Sequence, residues 1–175
     1  MIDLFNPEFR DLQYVRRWGI VRTTRDQSVA EHSYYVTLYA RQIAAKFFPK
    51  WSYGEGLLMA ALLHDMSEIH TGDLPAGVKR DKNLIVNGVS DYSEMWMNPH
   101  SKKIIKVADC LEAMIFIQEE KVMGNKTVKE VEIDVKENLD RSIEDLSDGP
   151  DMLAAMFDWA QETIDAHTYY RGRRR

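Results

Sequence analysis

The chain has little of what marks secreted, disulfide-stabilised or membrane-spanning proteins. Its 175 residues contain a single cysteine, Cys110, which excludes an internal disulfide framework and favours a reducing compartment. No apolar run reaches the roughly 18 residues that a membrane span needs. The first residues carry scattered charges where a secretory signal would have an apolar core. We therefore expect a cytoplasmic chain with no membrane partner.

An excess of positive charge is also missing. Lysine and arginine number 23 against 28 acidic residues, so the formal net charge is −5 and the sequence pI is about 5.6. This balance argues against a nucleic-acid polymer as partner, because such polymers need a basic surface. It leaves room for a small anionic substrate, since local charge in a pocket matters more than the total. With 45% hydrophobic residues, the chain is expected to form a single domain over residues 1–175.

Apolar residues recur every three or four positions, and no segment alternates as a strand would. Ser28 is predicted to cap the second helix, with Glu31 as the other half of a capping box. Residues 76–100 show no sustained periodicity and are expected to form a loop with room for one short helix. The fold class is therefore all-α, a bundle of about six helices. The predicted helices cover residues 7–18, 28–48, 54–69, 101–123, 127–146 and 151–170.

Four residues with metal-binding side chains fall on or beside these inward faces: His32, His64, Asp65 and Asp109. Such side chains rarely face a helical core without compensation, and a divalent cation is the usual one. Two imidazoles with two carboxylates suit one divalent transition metal, namely Co²⁺, Mn²⁺, Zn²⁺, Ni²⁺ or Fe²⁺. Glu68, predicted one turn after His64 on the same helix face, would reach a water at that metal and act as general base. The competing interpretation is a set of unrelated core histidines and solvated acids.

The order His32, His64-Asp65, Asp109 resembles the H…HD…D pattern of the HD-domain phosphohydrolases. The flanking segments are similar to the 5′-deoxynucleotidase branch of that superfamily, in which an Arg-Trp pair precedes the first histidine and TGDLP follows the HD pair. These segments are RRWGIVRTTRDQSVAEHS (16–33), ALLHDMSEIHTGDLP (61–75) and KVADCLEA (106–113).

The stretch between Asp65 and Asp109 is shorter than in the bacterial 5′-deoxynucleotidases. Compact members of the family with such short segments include phage enzymes that convert dATP to deoxyadenosine and triphosphate. The resemblance therefore implies hydrolysis of a 2′-deoxynucleotide at its 5′ phosphoester bond, with the number of phosphates left open. It would place the chain in a host cytoplasm if a phage encodes it.

The resemblance also implies roles for individual residues, each of which has an ordinary alternative such as a turn, a surface charge or a core contact. Asp73 would lie near the sugar or the leaving oxygen, although a turn aspartate usually binds local backbone. The resemblance singles out Arg17 as a phosphate ligand. Lys79 and Lys106 are candidates on their position alone, because a site for a polyanion needs cations. Trp18, Ile20 and Pro75 would form an apolar wall against the deoxyribose.

From these residues we predict a metal-dependent deoxynucleotide phosphohydrolase that converts a dNTP, dATP first, to deoxynucleoside plus triphosphate and also accepts dNMP. A second cation such as Mg²⁺ is expected with a triphosphate substrate. The alternatives are a strict dNMP 5′-deoxynucleotidase, an HD phosphodiesterase, and a non-catalytic nucleotide-binding regulator. A homo-oligomer is expected because the aromatic residues exceed what one small core must hide. They are Tyr34, Tyr35, Tyr39, Trp96 and Trp159.

Overall fold

A computed structural model describes residues 7–50, 53–74 and 98–172, with side chains as far as residue 168. Within these ranges there is no strand, and one isolated antiparallel bridge joins Arg16 to Ser28. The all-α prediction is confirmed, and most of the predicted loop 76–100 lies outside the described residues. The elements are a 3₁₀ helix Pro7–Gln13, then α1 Val29–Phe47, α2 Gly54–Leu62, α3 Glu68–Thr71, α4 Pro99–Val122, α5 Lys129–Leu146 and α6 Pro150–Gly172.

Helix α4 lies at the centre of the bundle and contacts α1, α2, α5 and α6. Its side chains Ile104, Leu111 and Phe116 are almost fully buried, as are Val36 and Ile43 of α1. Burying each such side chain stabilises the fold by about 1.5–3 kcal/mol. Because α4 is covered on several sides, polar residues at its middle also lie inside the molecule.

The start of α1 agrees with the sequence. The Ser28 Oγ accepts a hydrogen bond from the Glu31 backbone N–H at 3.1 Å, which confirms the predicted N-cap. The Glu31 carboxylate accepts from Arg25 Nη1 at 2.8 Å, so its side chain is used to hold the preceding loop. His32 lies in the first turn of α1 and is fully buried.

The predicted helix 54–69 is wrong in its second half, because α2 ends at Leu62 and a turn separates it from α3. In an uninterrupted helix the Ala61 carbonyl would accept the Asp65 N–H. Here it pairs with His64 Nδ1 at 2.7 Å, so a side chain takes the acceptor that the helix ladder would use. The turn that follows is closed by tight bonds, such as Glu68 N–H to the Asp65 carbonyl at 3.0 Å.

The predicted helix 7–18 is also wrong, because only residues 7–13 are helical and their helix is of the 3₁₀ type. Residues 14–28 form an extended loop that runs along α4, and we call it the 14–28 loop. Buried Glu120 accepts from Thr24 N at 2.6 Å and from Thr24 Oγ1 at 2.8 Å, which fixes the middle of this loop. The Arg25 guanidinium lies 4.7 Å from the centre of the Phe116 ring.

The surface argument for a homo-oligomer is not supported by the packing. Tyr39 is buried and Trp159 packs edge-on against Phe47, so these rings belong to the core. Tyr34 and Tyr35 remain exposed, and Trp96 lies outside the described residues. The homo-oligomer stays a prediction. No helix in the described part of the chain is long and apolar enough to cross a membrane.

Candidate active site

Three of the predicted metal-binding side chains meet at the junction of α1, α4 and the turn after α2. His32, His64 and Asp109 each offer a ligand atom, and these atoms lie within 4.8 Å of one another. Asp65 lies beside them, with its Oδ2 at 3.2 Å from His64 Nε2 and 3.7 Å from His32 Nε2. The four residues come from three separate segments of the sequence, so the fold has brought them together.

The donor set fits a divalent transition metal. The Nε2 atoms of His32 and His64 are both buried, and within the described ranges neither makes a hydrogen bond of good geometry. Their polar neighbours are the carboxylates, at 3.3 Å from Asp109 Oδ1 to His32 Nε2 and 3.2 Å from Asp65 Oδ2 to His64 Nε2. Their Nδ1 atoms are occupied, since His64 Nδ1 is bonded to the Ala61 carbonyl and His32 Nδ1 lies 2.5 Å from Glu112 Oε2. An imidazole held at one nitrogen by an acceptor presents a lone pair at the other, which is the usual arrangement of a metal-binding histidine.

The local charges follow from this crowding. Burial alone would lower the pKa of His64, but the charges of Asp65 and Asp109 raise it to about 9. Burial would raise the pKa of Asp109, yet contact with His32 and the charges of Lys106 and Arg17 hold it well below its usual value. The metal-free site therefore holds ionised carboxylates next to a protonated imidazole, and a cation can replace the proton.

Arg17 and Trp18 lie over this cluster because the 14–28 loop makes an unusual turn there. Trp18 has a φ of 64°, which is strained for a residue with a side chain. Its backbone N–H donates to Asp73 Oδ2 at 2.8 Å, and this contact holds the turn. The indole ring stacks on Phe116 at 5.3 Å between centres, while Arg17 Nη2 lies 4.0 Å from Asp109 Oδ1.

A cavity of about 550 Å³ opens beside these groups. Trp18, Ile20 and Asp73 line it, and so do Lys106 and Asp109. Lys106 Nζ donates to Asp109 Oδ2 at 2.7 Å, so part of its charge is already neutralised. Ile20 is 82% exposed, which puts it at the mouth. The cavity is large enough for a small molecule of nucleotide size.

The remaining predicted residues are placed as follows. Glu68 opens α3, immediately after the turn that carries His64 and Asp65, and it is almost fully buried. Its position relative to His64 is set by that turn rather than by one continuous helix. Pro75 and Lys79 lie outside the described residues.

Two buried polar residues were missed by the sequence reasoning, Gln27 and Glu112. Glu112 Oε2 lies next to His32 Nδ1 and accepts from Arg17 Nη1 at 3.3 Å, while its Oε1 accepts from Gln27 Nε2 at 2.6 Å. The spacing of Glu112 three residues after Asp109 could have revealed it, because both lie on one face of α4. Gln27 gives no comparable signal in the sequence.

Comparison with known proteins identifies relatives of this chain. The family model described as 5′-deoxynucleotidase YfbR-like matches residues 5–95, which is more than half of the chain. A dATP triphosphohydrolase of Cyanophage S-2L is 36% identical over 115 residues, covering 60% of this chain and 65% of that protein. A dATP triphosphohydrolase of Salmonella phage PMBT28 is 35% identical over 128 residues, covering 63% and 66%. The chain thus matches just under two thirds of the length of these two relatives.

A bacterial relative and a solved structure extend the comparison. A 5′-deoxynucleotidase of Klebsiella pneumoniae is 28% identical over 141 residues, covering 65% of this chain and 71% of that protein. The Cyanophage S-2L HD phosphohydrolase DatZ, solved with dA and one catalytic Zn²⁺ ion, superposes with a TM-score of 0.76. The superposition covers 92% of this chain and 96% of that one at 24% identity, and it shows the shared fold.

The raised pKa of His64 gives a prediction on pH. Because that pKa is about 9 in the metal-free protein, at neutral pH a metal must displace a proton from His64 before it can bind. We expect the apparent affinity for Zn²⁺ or Co²⁺ to rise about tenfold per pH unit between about pH 6 and 8, with one proton released. Competition with a chromophoric chelator at several pH values measures this slope. An affinity that does not change over this range would contradict the assignment.

Proposed function

The chain belongs to the YfbR-like 5′-deoxynucleotidase family of HD-domain phosphohydrolases, and on that premise we propose that it hydrolyses 2′-deoxynucleotides. The bond cut is the one between O5′ of the sugar and its phosphorus, which releases the deoxynucleoside. The favoured substrate is a dNTP, dATP first, giving deoxynucleoside and triphosphate, with dNMP as a second substrate. Two of its relatives carry the name dATP triphosphohydrolase and others the name 5′-deoxynucleotidase.

The observation that carries this proposal is the meeting of two inward imidazoles and two carboxylates beside a cavity whose lining includes Arg17 and Lys106. A pure nucleotide-binding regulator could use such a site. It would have no use for the buried carboxylate of Glu68, three residues after Asp65, which favours an enzyme.

His32, His64, Asp65 and Asp109 would hold one divalent transition metal. When bound, this cation polarises a phosphoryl oxygen and lowers the pKa of water. Zn²⁺ is the ion named for the S-2L structure, and Co²⁺, Mn²⁺, Ni²⁺ and Fe²⁺ suit the same ligands. A triphosphate substrate would bring a second cation such as Mg²⁺ on its outer phosphates.

Glu68 and Asp73 would move the protons. Glu68, which is almost fully buried beside the turn that carries His64 and Asp65, takes a proton from the water that attacks phosphorus. The leaving O5′ alkoxide needs a proton, which comes from water or from Asp73 at the cavity wall. Asp73 also holds the Trp18 turn through its hydrogen bond, so its loss would disturb both functions.

Positive charge near the site supports a substrate with more than one phosphate. Arg17 and Lys106 line the cavity and would neutralise the phosphate at the cleavage point. A second hollow of about 370 Å³ shares Lys106 and Arg141 with the cavity. Its lining also includes Lys102, Lys103 and one acidic residue, Asp145, whose backbone carbonyl accepts from Lys103 Nζ at 2.6 Å. The outer phosphates of a dNTP that extended from the cavity into this hollow would lie near its lysines, whereas a dNMP would not reach them.

Trp18 would select the deoxy sugar. Its ring is fixed from one side by stacking on Phe116 and at its edge by the hydrogen bond from Nε1 to Gln27 Oε1 at 2.9 Å. A wall held in this way cannot move aside for a 2′-hydroxyl. Ile20 and Pro75 would continue the apolar wall around the sugar and base.

The test of this function is the identity of the products. We expect purified protein with Zn²⁺, Co²⁺ or Mn²⁺ to convert dATP to deoxyadenosine and inorganic triphosphate, and to hydrolyse ATP far more slowly. Phosphorus NMR of the reaction identifies the phosphate product directly. Pyrophosphate together with dAMP would move the cut to another bond and refute the proposal, and activity on dNMP alone would favour the strict 5′-deoxynucleotidase.

Glu68→Ala tests the general base. We expect kcat to fall by about 10²-fold or more while the metal is retained, because a positioned base contributes about that much to proton transfer. Glu55→Ala removes a carboxylate from the exposed side of neighbouring α2 and serves as the control, with kcat at the parent value. If Glu68→Ala retains the parent kcat, the base must be another residue.

A further inference from the structure

Four side chains form an unbroken line of polar contacts from the proposed sugar wall to the proposed metal site. Trp18 Nε1 donates to Gln27 Oε1 at 2.9 Å, and Gln27 Nε2 donates to Glu112 Oε1 at 2.6 Å. The other oxygen of Glu112, Oε2, lies 2.5 Å from Nδ1 of His32. Gln27, His32 and Glu112 are almost completely buried, so water does not substitute for a missing partner.

The chemistry of the first residue fixes the direction of every bond in this line. An indole N–H can only donate, so Gln27 must present its oxygen to Trp18. The amide nitrogen then points to Glu112 and donates to it. A carboxylate oxygen accepts, so in this line Glu112 accepts from His32 Nδ1, which places a proton on that nitrogen. The lone pair of His32 Nε2 is thereby directed at Asp65 and Asp109.

We propose that Gln27 and Glu112 are positioning residues that lock His32 in the tautomer needed for metal binding and join it to the Trp18 wall. This inference rests on the proposed metal site and adds two residues to it. Neither residue touches substrate or metal in this assignment, and both act through His32 and Trp18.

Arg17 is the group that competes with this assignment. Its Nη1 contacts His32 Nδ1 and also donates to Glu112 Oε2 at 3.3 Å. If Arg17 donated to Nδ1, the imidazole proton would be on Nε2 and would block the metal. One carboxylate oxygen has two lone pairs and can accept from two donors, so in the proposed assignment both Arg17 and His32 donate to Glu112 Oε2, and Arg17 makes no hydrogen bond to Nδ1.

Two substitutions that each keep the size of the side chain test the direction of the bonds. In Glu112→Gln the new side chain lies between two donors, Gln27 Nε2 and His32 Nδ1. In either orientation its own NH₂ group therefore faces one of these donors. In Gln27→Glu two carboxylates face each other at the 2.6 Å contact. The double variant exchanges the two roles. The carboxylate at 27 accepts from Trp18 and from the amide at 112, and the oxygen of that amide accepts from His32.

The measurement is the dissociation constant of Zn²⁺, obtained by chelator competition, with thermal unfolding recorded for each variant. We expect each single substitution to weaken zinc binding by about 10- to 100-fold, the usual effect of a lost partner of a metal ligand. The double variant should recover about tenfold or more of that loss. Glu119→Gln removes the same charge about two turns further along α4, where it bonds Arg25, and should bind zinc as the parent does.

Four outcomes would overturn the inference. Single variants with parent affinity would mean that the line positions nothing. If the loss of zinc affinity in the double variant equals the product of the losses in the two single variants, the charge of Glu112 matters and the direction of its hydrogen bonds does not. Nitrogen-15 NMR of the zinc-loaded parent should show the His32 proton on Nδ1 and zinc on Nε2, and zinc on Nδ1 would refute the lock without any variant. A parent that binds no zinc would overturn the proposed function as well.

Discussion

The structure depends on the burial of two imidazoles and their neighbouring carboxylates inside a bundle of helices. Unpaired polar groups in such a place cost several kcal/mol, so each must be given a partner. The Ala61 carbonyl holds His64, Glu112 holds His32, and Lys106 pairs with Asp109. One of these partners is a backbone group of α2. The helix ends at Leu62, where His64 Nδ1 bonds the Ala61 carbonyl. The two Nε2 atoms that remain inside are the groups that a cation would satisfy.

One face of α4 links the chemistry to recognition. Asp109, Glu112 and Phe116 follow one another at successive turns, and they contact the proposed metal site, His32 and Trp18 respectively. The 14–28 loop is laid along this face and fixed further on by Glu120. Lys102 and Arg141, which are proposed to meet the outer phosphates, are exposed, so substitutions at these positions remove no core contact.

The sequence predicted what depends on local pattern and missed what depends on distant contacts. The long helices α1, α4 and α6 and the Ser28 cap follow from apolar spacing and a capping hydroxyl, and they are confirmed. The break between α2 and α3 coincides with a side-chain bond from His64 to the Ala61 carbonyl, which apolar spacing does not reveal. The positive φ of Trp18 depends on Asp73, which is far away in the sequence. Glu112 was visible on the Asp109 face, but a glutamate on a helix is usually solvated.

The central claim is that His32, His64, Asp65 and Asp109 hold one divalent metal, and its most direct test is the metal content of Asp65→Ala. Elemental analysis should find a single ion in the parent and none in this variant. The control is His70→Ala, which removes an exposed histidine from adjacent α3 and should keep the metal. That result would show that the loss of a nearby polar side chain does not by itself remove the metal. Full metal occupancy in folded Asp65→Ala protein would contradict the account.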